Sequence, residues 1–232
     1  LDGDKVYQFT VTWGSSTTTD DTEGEVVKTS EKRPSQEEID DIVPFFVGEI
    51  TQTPPMYSAL KVDGKRAYEL ARKGQEVEMK SRQVIIHSLK IVAHTSESTT
   101  FEAHVSKGTY IRSLGRDMGE TLGCYGHITM LRRIKSSRFE INSSISKEKL
   151  DSLVESGQSP ETLLMDISAG LDDIPVYCAS PTERIALKSG ALMKRFHLKP
   201  GLMQVRNRKG QVVSLVEIQE GGAVKIARNF NI

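Results

Sequence analysis

Between Val6 and Trp13 the chain alternates, with Tyr7, Phe9, Val11 and Trp13 on one face and mostly polar residues on the other, the period-2 pattern of a half-buried strand. Phe101, Ala103 and Val105 alternate in the same way against Glu102, His104 and Ser106, so a second strand runs into Lys107. The period then changes within three residues. From Ile111 the apolar positions are Ile111, Leu114, Met118 and Leu122, one stripe of an amphipathic helix ending near Gly123. Gly108 permits a sharp turn between strand and helix. Thr109 is expected to cap the helix, and Tyr110 and Arg112 are expected to project from a rigid strand–helix junction.

The remaining pattern fills in an α+β chain. Pro34-Ser35-Gln36-Glu37-Glu38 carries a capping box, and Ile39, Ile42, Val43 and Phe46 form the buried stripe of a helix expected to end at Gly48. Pro54-Pro55 stiffens a loop that presents Tyr57 and Lys61. Asp63-Gly64 leads into a short helix through Ala67, Leu70 and Ala71, closed by Gly74, and a strand is expected from Val84 to Val92. Ile128 to Ile134 includes Leu131-Arg132-Arg133, where Leu131 reads as core or cleft lining and the arginines read equally as phosphate partners or solvated surface. Residues 146–173 look helical and acidic, with Ser146 and Ser159-Pro160 as starts and Gly157 and Gly170 as stops. A second capping box, Ser180-Pro181-Thr182-Glu183, opens a short helix reaching Gly190. The strands Met203–Arg206, Val212–Ile218 and Ala223–Ala227 follow, separated by Asn207-Arg208-Lys209-Gly210 and Gly221-Gly222. The expected division is a mixed-sheet domain over 1–175, with an acidic connector at 146–175, and a small β-rich domain over 176–232.

Length and charge sharpen this picture. A chain of 232 residues can bury a substantial core. Its two cysteines, Cys124 and Cys178, give no disulfide scaffold and favour a reduced, cytoplasmic setting. No apolar run approaches membrane-spanning length and no signal-peptide pattern opens the chain, so no membrane association is expected. The first residue is Leu and a strand follows within a few residues, so the sequence reads as the remainder of something longer. The formal net charge is zero, yet residues 1–60 carry −8, 61–140 carry +6, 141–180 carry −5 and 181–232 carry +7. Basic segments of this kind are the footprint of a polyanion or simply solvated faces.

Chemical motifs are few. Asp20-Asp21 sits in a Ser/Thr/Gly-rich stretch, where adjacent carboxylates read mainly as loop solvators. Cys124-Tyr125-Gly126-His127 lacks the second pair that a zinc site needs. No Gly-rich phosphate loop, nucleophile elbow or His-Glu-x-x-His helix is present, which removes the kinase, hydrolase and nicotinamide chemistries; no metal and no cofactor are expected.

Lys107-Gly108-Thr109-Tyr110-Ile111-Arg112, Pro55-Met56-Tyr57-Ser58-Ala59-Leu60-Lys61, Asp4-Lys5-Val6-Tyr7 and Leu131-Arg132-Arg133 together resemble the TruB family of tRNA pseudouridine synthases, in order and spacing. The resemblance is strong over about residues 1–150, and the C-terminal β-module resembles the PUA-type RNA-binding domain of that family. It implies a cofactor-free isomerisation of the tRNA T-loop uridine, flipped into a cleft, with the tRNA T-arm as partner and no obligate protein partner. By position Tyr7 matches the tyrosine that stacks on the base, Tyr110 and Leu131 match residues lining the uridine pocket, and Arg112 matches the arginine that pairs with the catalytic carboxylate. Tyr57, Lys61, Lys107, Arg132 and Arg133 fall in motifs that would contact RNA or support the site.

The family's nucleophilic aspartate belongs to a Gly-x-Leu-Asp-Pro-type segment that these residues do not contain, so the nucleophile is expected upstream of Leu1 and the chain alone is expected to be inactive. Thr18 stands where members often have an aspartate. Asp21 keeps the neighbouring acidic position and is the candidate partner of Arg112. Two alternatives remain at this point: a non-catalytic RNA-binding or RNA-chaperone protein, and a relative of the guide-dependent pseudouridine synthases.

Overall fold

The computed structural model describes residues 3–58, 60–62, 65–67, 79–171, 173–189, 193–194 and 197–230, the side chains of 61–62, 65–66, 188 and 193–194 excepted. The chain divides into two compact units, Leu1–Ser144 and Ile145–Ile232.

The first unit is built on β1 (Lys5–Trp13), which pairs antiparallel with β8 (Ser98–Val105) on one side and with β9 (Gly126–Ser136) on the other. Flanking them are β7 (Arg82–His94), β4 (Gly48–Gln52) and the short β10 (Phe139–Glu140), giving a six-stranded sheet in the order β10-β9-β1-β8-β7-β4. The period-2 pattern survives in burial: Phe101, Ala103 and Val105 are buried, and the residues between them reach solvent. Phe9 lies directly opposite Phe101 in the register, with the rings stacked at 5.4 Å, and Trp13 meets Phe101 edge-on. Aromatic pairs across strands are among the stronger contributors to sheet stability. Trp13 also donates through Nε1 to Thr99 Oγ1 at 3.0 Å, so its polar atom is not buried without a partner.

Helix α2 (Ile111–Thr121), following α1 (Gln36–Ile42), packs against this face and buries Ile111, Leu114 and Met118, and Ile39 of α1 joins the same core. Small residues on the same side bring α2 close to the sheet. A Cβ built on Gly119 would lie 2.5 Å from the Tyr125 carbonyl carbon, and one on Gly115 would lie 2.7 Å from Ile128 Cδ1. The capping box of α1 is present, with Ser35 and Glu38 satisfying one another's backbone N–H groups. That helix is shorter than expected. It stops at Ile42, and Val43–Phe46 continues as a 3-10 turn because Pro44 has no N–H for an α-helical bond; Gly48 begins β4. The hairpin β2 (Ser15–Thr17) with β3 (Val26–Thr29) encloses the Thr18–Glu25 loop. The short pair β5 (Lys61–Val62) and β6 (Lys65–Arg66) follows Leu60. The expected Asp63-Gly64 turn and the helix through Leu70, Ala71 and Gly74 lie outside the described residues.

In the second unit, α3 (Lys147–Glu155) starts at Ser146, whose Oγ accepts from Lys149 N. The rest of the acidic stretch is less helical than its composition suggested, with 3-10 turns at Pro160–Leu163 and Ile167–Gly170. A five-stranded sheet then runs β11-β13-β14-β15-β12, where β11 is Val176–Cys178, β12 Met193–Lys194, β13 Gly201–Arg206, β14 Val212–Ile218 and β15 Ala223–Asn229. The β11–β13 pair is parallel and the other pairs are antiparallel. Met203, Val205, Val216 and Ile218 pack with Leu187 of α4 (Pro181–Lys188), whose capping box joins Ser180 and Glu183. No helix among the described residues is long and apolar enough to cross a membrane.

Candidate functional site

The junction between β8 and α2 is held from outside rather than by its own residues. Gly108 has φ +91°, a conformation that side chains with a Cβ rarely adopt. Thr109 does not cap the helix: its hydroxyl donates to the Ser106 carbonyl at 3.0 Å, and the N-cap is Tyr110, which makes no side-chain capping bond. Gln52 at the end of β4 instead fixes the backbone of the N-cap residue itself. Its Oε1 accepts from Tyr110 N at 2.7 Å and its Nε2 donates to the Tyr110 carbonyl at 3.0 Å, and the whole residue is buried. Arg82 donates to the Gly108 carbonyl and lays its guanidinium over the Tyr110 ring at 4.8 Å.

From this fixed start α2 grips two loops with two arginines one helical turn apart. Arg112 Nη1 donates to Asp21 Oδ2 at 2.9 Å and to the Thr19 carbonyl at 3.0 Å, while its Nη2 donates to the Tyr57 carbonyl at 2.8 Å. Arg116 Nη1 donates to Asp20 Oδ2 at 3.0 Å, and its Nη2 reaches the Thr53 carbonyl at 3.0 Å and Asp117 Oδ1 at 2.8 Å. Ser113, between them, donates to the same Thr53 carbonyl. Both the 18–25 loop and the 53–57 loop are therefore fastened to α2.

Asp20 and Asp21 are not loop solvators. Successive side chains diverge, and here that divergence lets neighbouring carboxylates serve arginines on successive turns. Asp20 adopts φ +61°, in the left-handed region that Asp tolerates better than most residues. Asp21 is fixed further by Thr19 Oγ1 at 2.5 Å and Glu23 N at 3.0 Å, both to Oδ1. Burial holds the Asp20 carboxyl above the ordinary aspartate value, although Arg116 and Arg112 pull it down. Asp117 is raised by burial in the same way, against the pull of Arg116. Burial opposes the charge of Arg116 as well, and Asp117 with Asp20 more than restores it.

Tyr7 is half-buried on the face of β1 that α2 covers, at the margin of the core to which Ile111 and Leu114 belong. Its partners in register are Ala103 and Arg133, and Leu131 stands opposite Phe9, so Tyr7, Leu131 and Arg133 share one side of the sheet. Leu131 is 49% exposed, which excludes the core reading. Arg132 stands opposite Gln8 and projects from the other side, so the adjacent arginines cannot both line one cleft. Lys107 is exposed on the turn before α2, and the Lys61 side chain lies outside the described residues. Cys124 is buried and bonds the Gly119 carbonyl, while His127 faces Ser15, so these two do not meet as ligands.

The second unit has its own basic feature. A hollow of about 260 Å³ is lined by Arg184, Arg208 and Lys209 together with Pro181, Asn207 and Gln211. Asn207 Oδ1 accepts from the backbone N–H groups of Lys209 and Gln211, fixing the turn that carries two of those cations.

Solved structures share this fold. The crystal structure of a Cbf5-Nop10-Gar1 complex contains a chain that superposes with a TM-score of 0.73 at 20% identity, over 100% of this chain and 68% of that one. The structure of an H/ACA RNP bound to a substrate RNA containing 2'-deoxyuridine gives 0.71 at 19% identity, over 100% and 67%. At these identities the likeness is one of fold. The family model for the TruB family pseudouridylate synthase N-terminal domain matches residues 1–111, and that for the tRNA pseudouridylate synthase B C-terminal domain matches 112–172, which sets the class as pseudouridine synthase. The tRNA pseudouridine synthase B of Zymomonas mobilis is 41% identical over 232 residues, all of this chain and 75% of the relative. That of Novosphingobium aromaticivorans is 44% identical over 238 residues, 100% and 77%. The chain belongs to the TruB family, isomerases that act on RNA.

Proposed function

We propose that this chain is the base-holding and RNA-binding part of an enzyme that isomerises the T-loop uridine of tRNA to pseudouridine, without cofactor or partner protein. Arg112 carries the reading. Three of its five N–H groups are taken by Asp21 and by the Thr19 and Tyr57 carbonyls, leaving Nε–H and one Nη2–H without a partner among the described residues. A guanidinium fixed on one side and open on the other suits a carboxylate, and the aspartate nucleophile implied by the family resemblance would dock there. In this reading that carboxylate attacks the flipped uridine, and Arg112 orients it and keeps it ionised. Asp21 balances the arginine when the nucleophile is turned toward the base.

The remaining residues fit the needs of a flipped base. Tyr7 offers a half-buried aromatic face for stacking, with Leu131 and Arg133 on the same side of the sheet. Ser58, next to Tyr57, has a buried hydroxyl with no partner among the described residues, an open hydrogen-bonding capacity beside the Arg112 cluster. In the second unit, read as a PUA-like domain, Arg184, Arg208 and Lys209 would contact tRNA phosphates away from the T-loop.

The test uses full-length protein and unmodified tRNA transcript, with pseudouridine read at each position. Pseudouridine at the T-loop uridine without guide RNA or added proteins supports the proposal. Binding without turnover would make the protein a tRNA-binding chaperone, and turnover only with guide RNA would make it a guide-dependent enzyme; either result overturns it.

A further inference from the structure

Asp4, His87 and His104 come from distant parts of the sequence and converge on the side of the sheet opposite Tyr7. His104 faces Val6 across β8 and β1, one residue out of phase with the Tyr7–Ala103 pair. His87 reaches the same place through a bulge. Ile86 pairs with Val105 but Ser88 pairs with His104, so His87 is the extra residue of β7, and a bulge re-aims a side chain in this way. Asp4 lies just ahead of β1 with its backbone pinned, its carbonyl accepting from Ser137 N at 2.8 Å.

Asp4 Oδ2 is 3.2 Å from His87 Nε2 and 3.5 Å from His104 Nε2, the two rings are 4.6 Å apart, and one donor atom from each residue lies within 4.8 Å of the others. Zinc bonds of about 2.0–2.1 Å arranged tetrahedrally set neighbouring ligand atoms roughly 3.3–3.4 Å apart, whereas octahedral bonds of that length would set them about 2.9 Å apart. The two observed separations straddle the tetrahedral value. Two imidazoles and one carboxylate are also the donor set that zinc takes with three protein ligands and a water. The three side chains are 36–43% exposed, which leaves a path for the ion and room for that water.

We propose that Asp4, His87 and His104 bind a divalent transition cation of the zinc class, which fastens the start of β1 to β7 and β8. The site stands apart from the Arg112 cluster and takes no part in the isomerisation. It escapes a sequence search because its ligands have none of the short spacings that mark zinc motifs.

Metal-stripped full-length protein titrated with zinc chloride by calorimetry should show one saturable site per chain. His87→Gln and His104→Gln should each weaken it at least tenfold, since even losing a residue that merely supports a ligand costs that much. Cys178→Ser, which removes the exposed thiol, should leave it unchanged. Zinc should raise the melting temperature of the wild type and not of the double histidine variant. Asp4→Asn, outside the strands, should also weaken binding tenfold and serves if a histidine variant fails to fold. No saturable binding, or equal binding by wild type and variants, would show an Asp4 carboxylate that merely accepts from its two histidine neighbours, and the proposal would fall.

Discussion

Gln52 and Tyr110 are joined by two hydrogen bonds that use both ends of a buried side-chain amide and both polar groups of one backbone residue. This pair sets where α2 begins, and with it the position of Arg112. Replacing Gln52 by Met, similar in length but apolar, leaves the Tyr110 N–H without a partner, while the Tyr110 carbonyl keeps its bond from Leu114 N, and should destabilise the protein by about 1–3 kcal/mol. Denaturant unfolding would measure this. Turnover should fall further than tRNA affinity, because the helix start moves while the phosphate contacts remain.

Arg112→Lys keeps the charge and loses the two-pronged fork. One ammonium cannot reach the Asp21 carboxylate, the Thr19 and Tyr57 carbonyls and an incoming carboxylate together. The variant of the full-length protein should bind tRNA within a few-fold of wild type and lose most of its turnover, a split that single-turnover kinetics with a binding assay would display.

Tyr7 tests stacking separately from hydroxyl chemistry. Tyr7→Phe keeps the ring and should preserve RNA binding, while Tyr7→Ala should lose roughly 1–3 kcal/mol, on the order of ten- to hundredfold in affinity. A loss of turnover in the Phe variant at unchanged affinity would assign the hydroxyl a part in proton transfer.

Arg208→Gln and Lys209→Gln probe the hollow of the second unit. Each should weaken tRNA binding uniformly and reduce the slope of log affinity against log salt by about 1, with the modified uridine unchanged. Titrations at several salt concentrations would check both. An unchanged slope would remove these cations from the RNA interface.

Asp20 and Asp117 have carboxyls that titrate above the ordinary aspartate value of 3.8 because burial disfavours their charged forms. The folded chain therefore retains protons that the unfolded chain releases. Their contribution to stability should be fully present below about pH 3.8 and should fall as pH rises through the raised midpoints. Carboxyl-carbon NMR titration would locate those midpoints, and Asp20→Asn should flatten the decline seen in unfolding experiments across that range.

The framework was legible in the sequence because it rests on periodicity: β1, β8 and the buried stripe of α2 follow directly from where apolar residues recur. The clamp on the site was mostly hidden. Gln52 and Arg82 act through contacts to residues far along the chain, which leave no local pattern, and Thr109 has the right chemistry for a cap but points its hydroxyl backward to Ser106. Arg116 could have been found, since it stands four residues after Arg112 on the same helix as Asp20 stands one before Asp21. Composition also misled over residues 146–173, where acidic, helix-favouring residues form one short helix and two 3-10 turns.

The missing methyl groups of Gly115 and Gly119 have a consequence for how precisely the chemistry is aimed. Because α2 rests almost directly on the backbone at Tyr125 and Gly126, its axis has nowhere to drift toward the sheet, and the loops it grips close off movement the other way. The helix is seated between the sheet and the two loops, and the tip of Arg112 is held from both sides. Alignment of the fork is thus governed in part at position 119, well along the helix from Arg112, and adding one carbon there would act as a misaligned mounting acts on an optical bench.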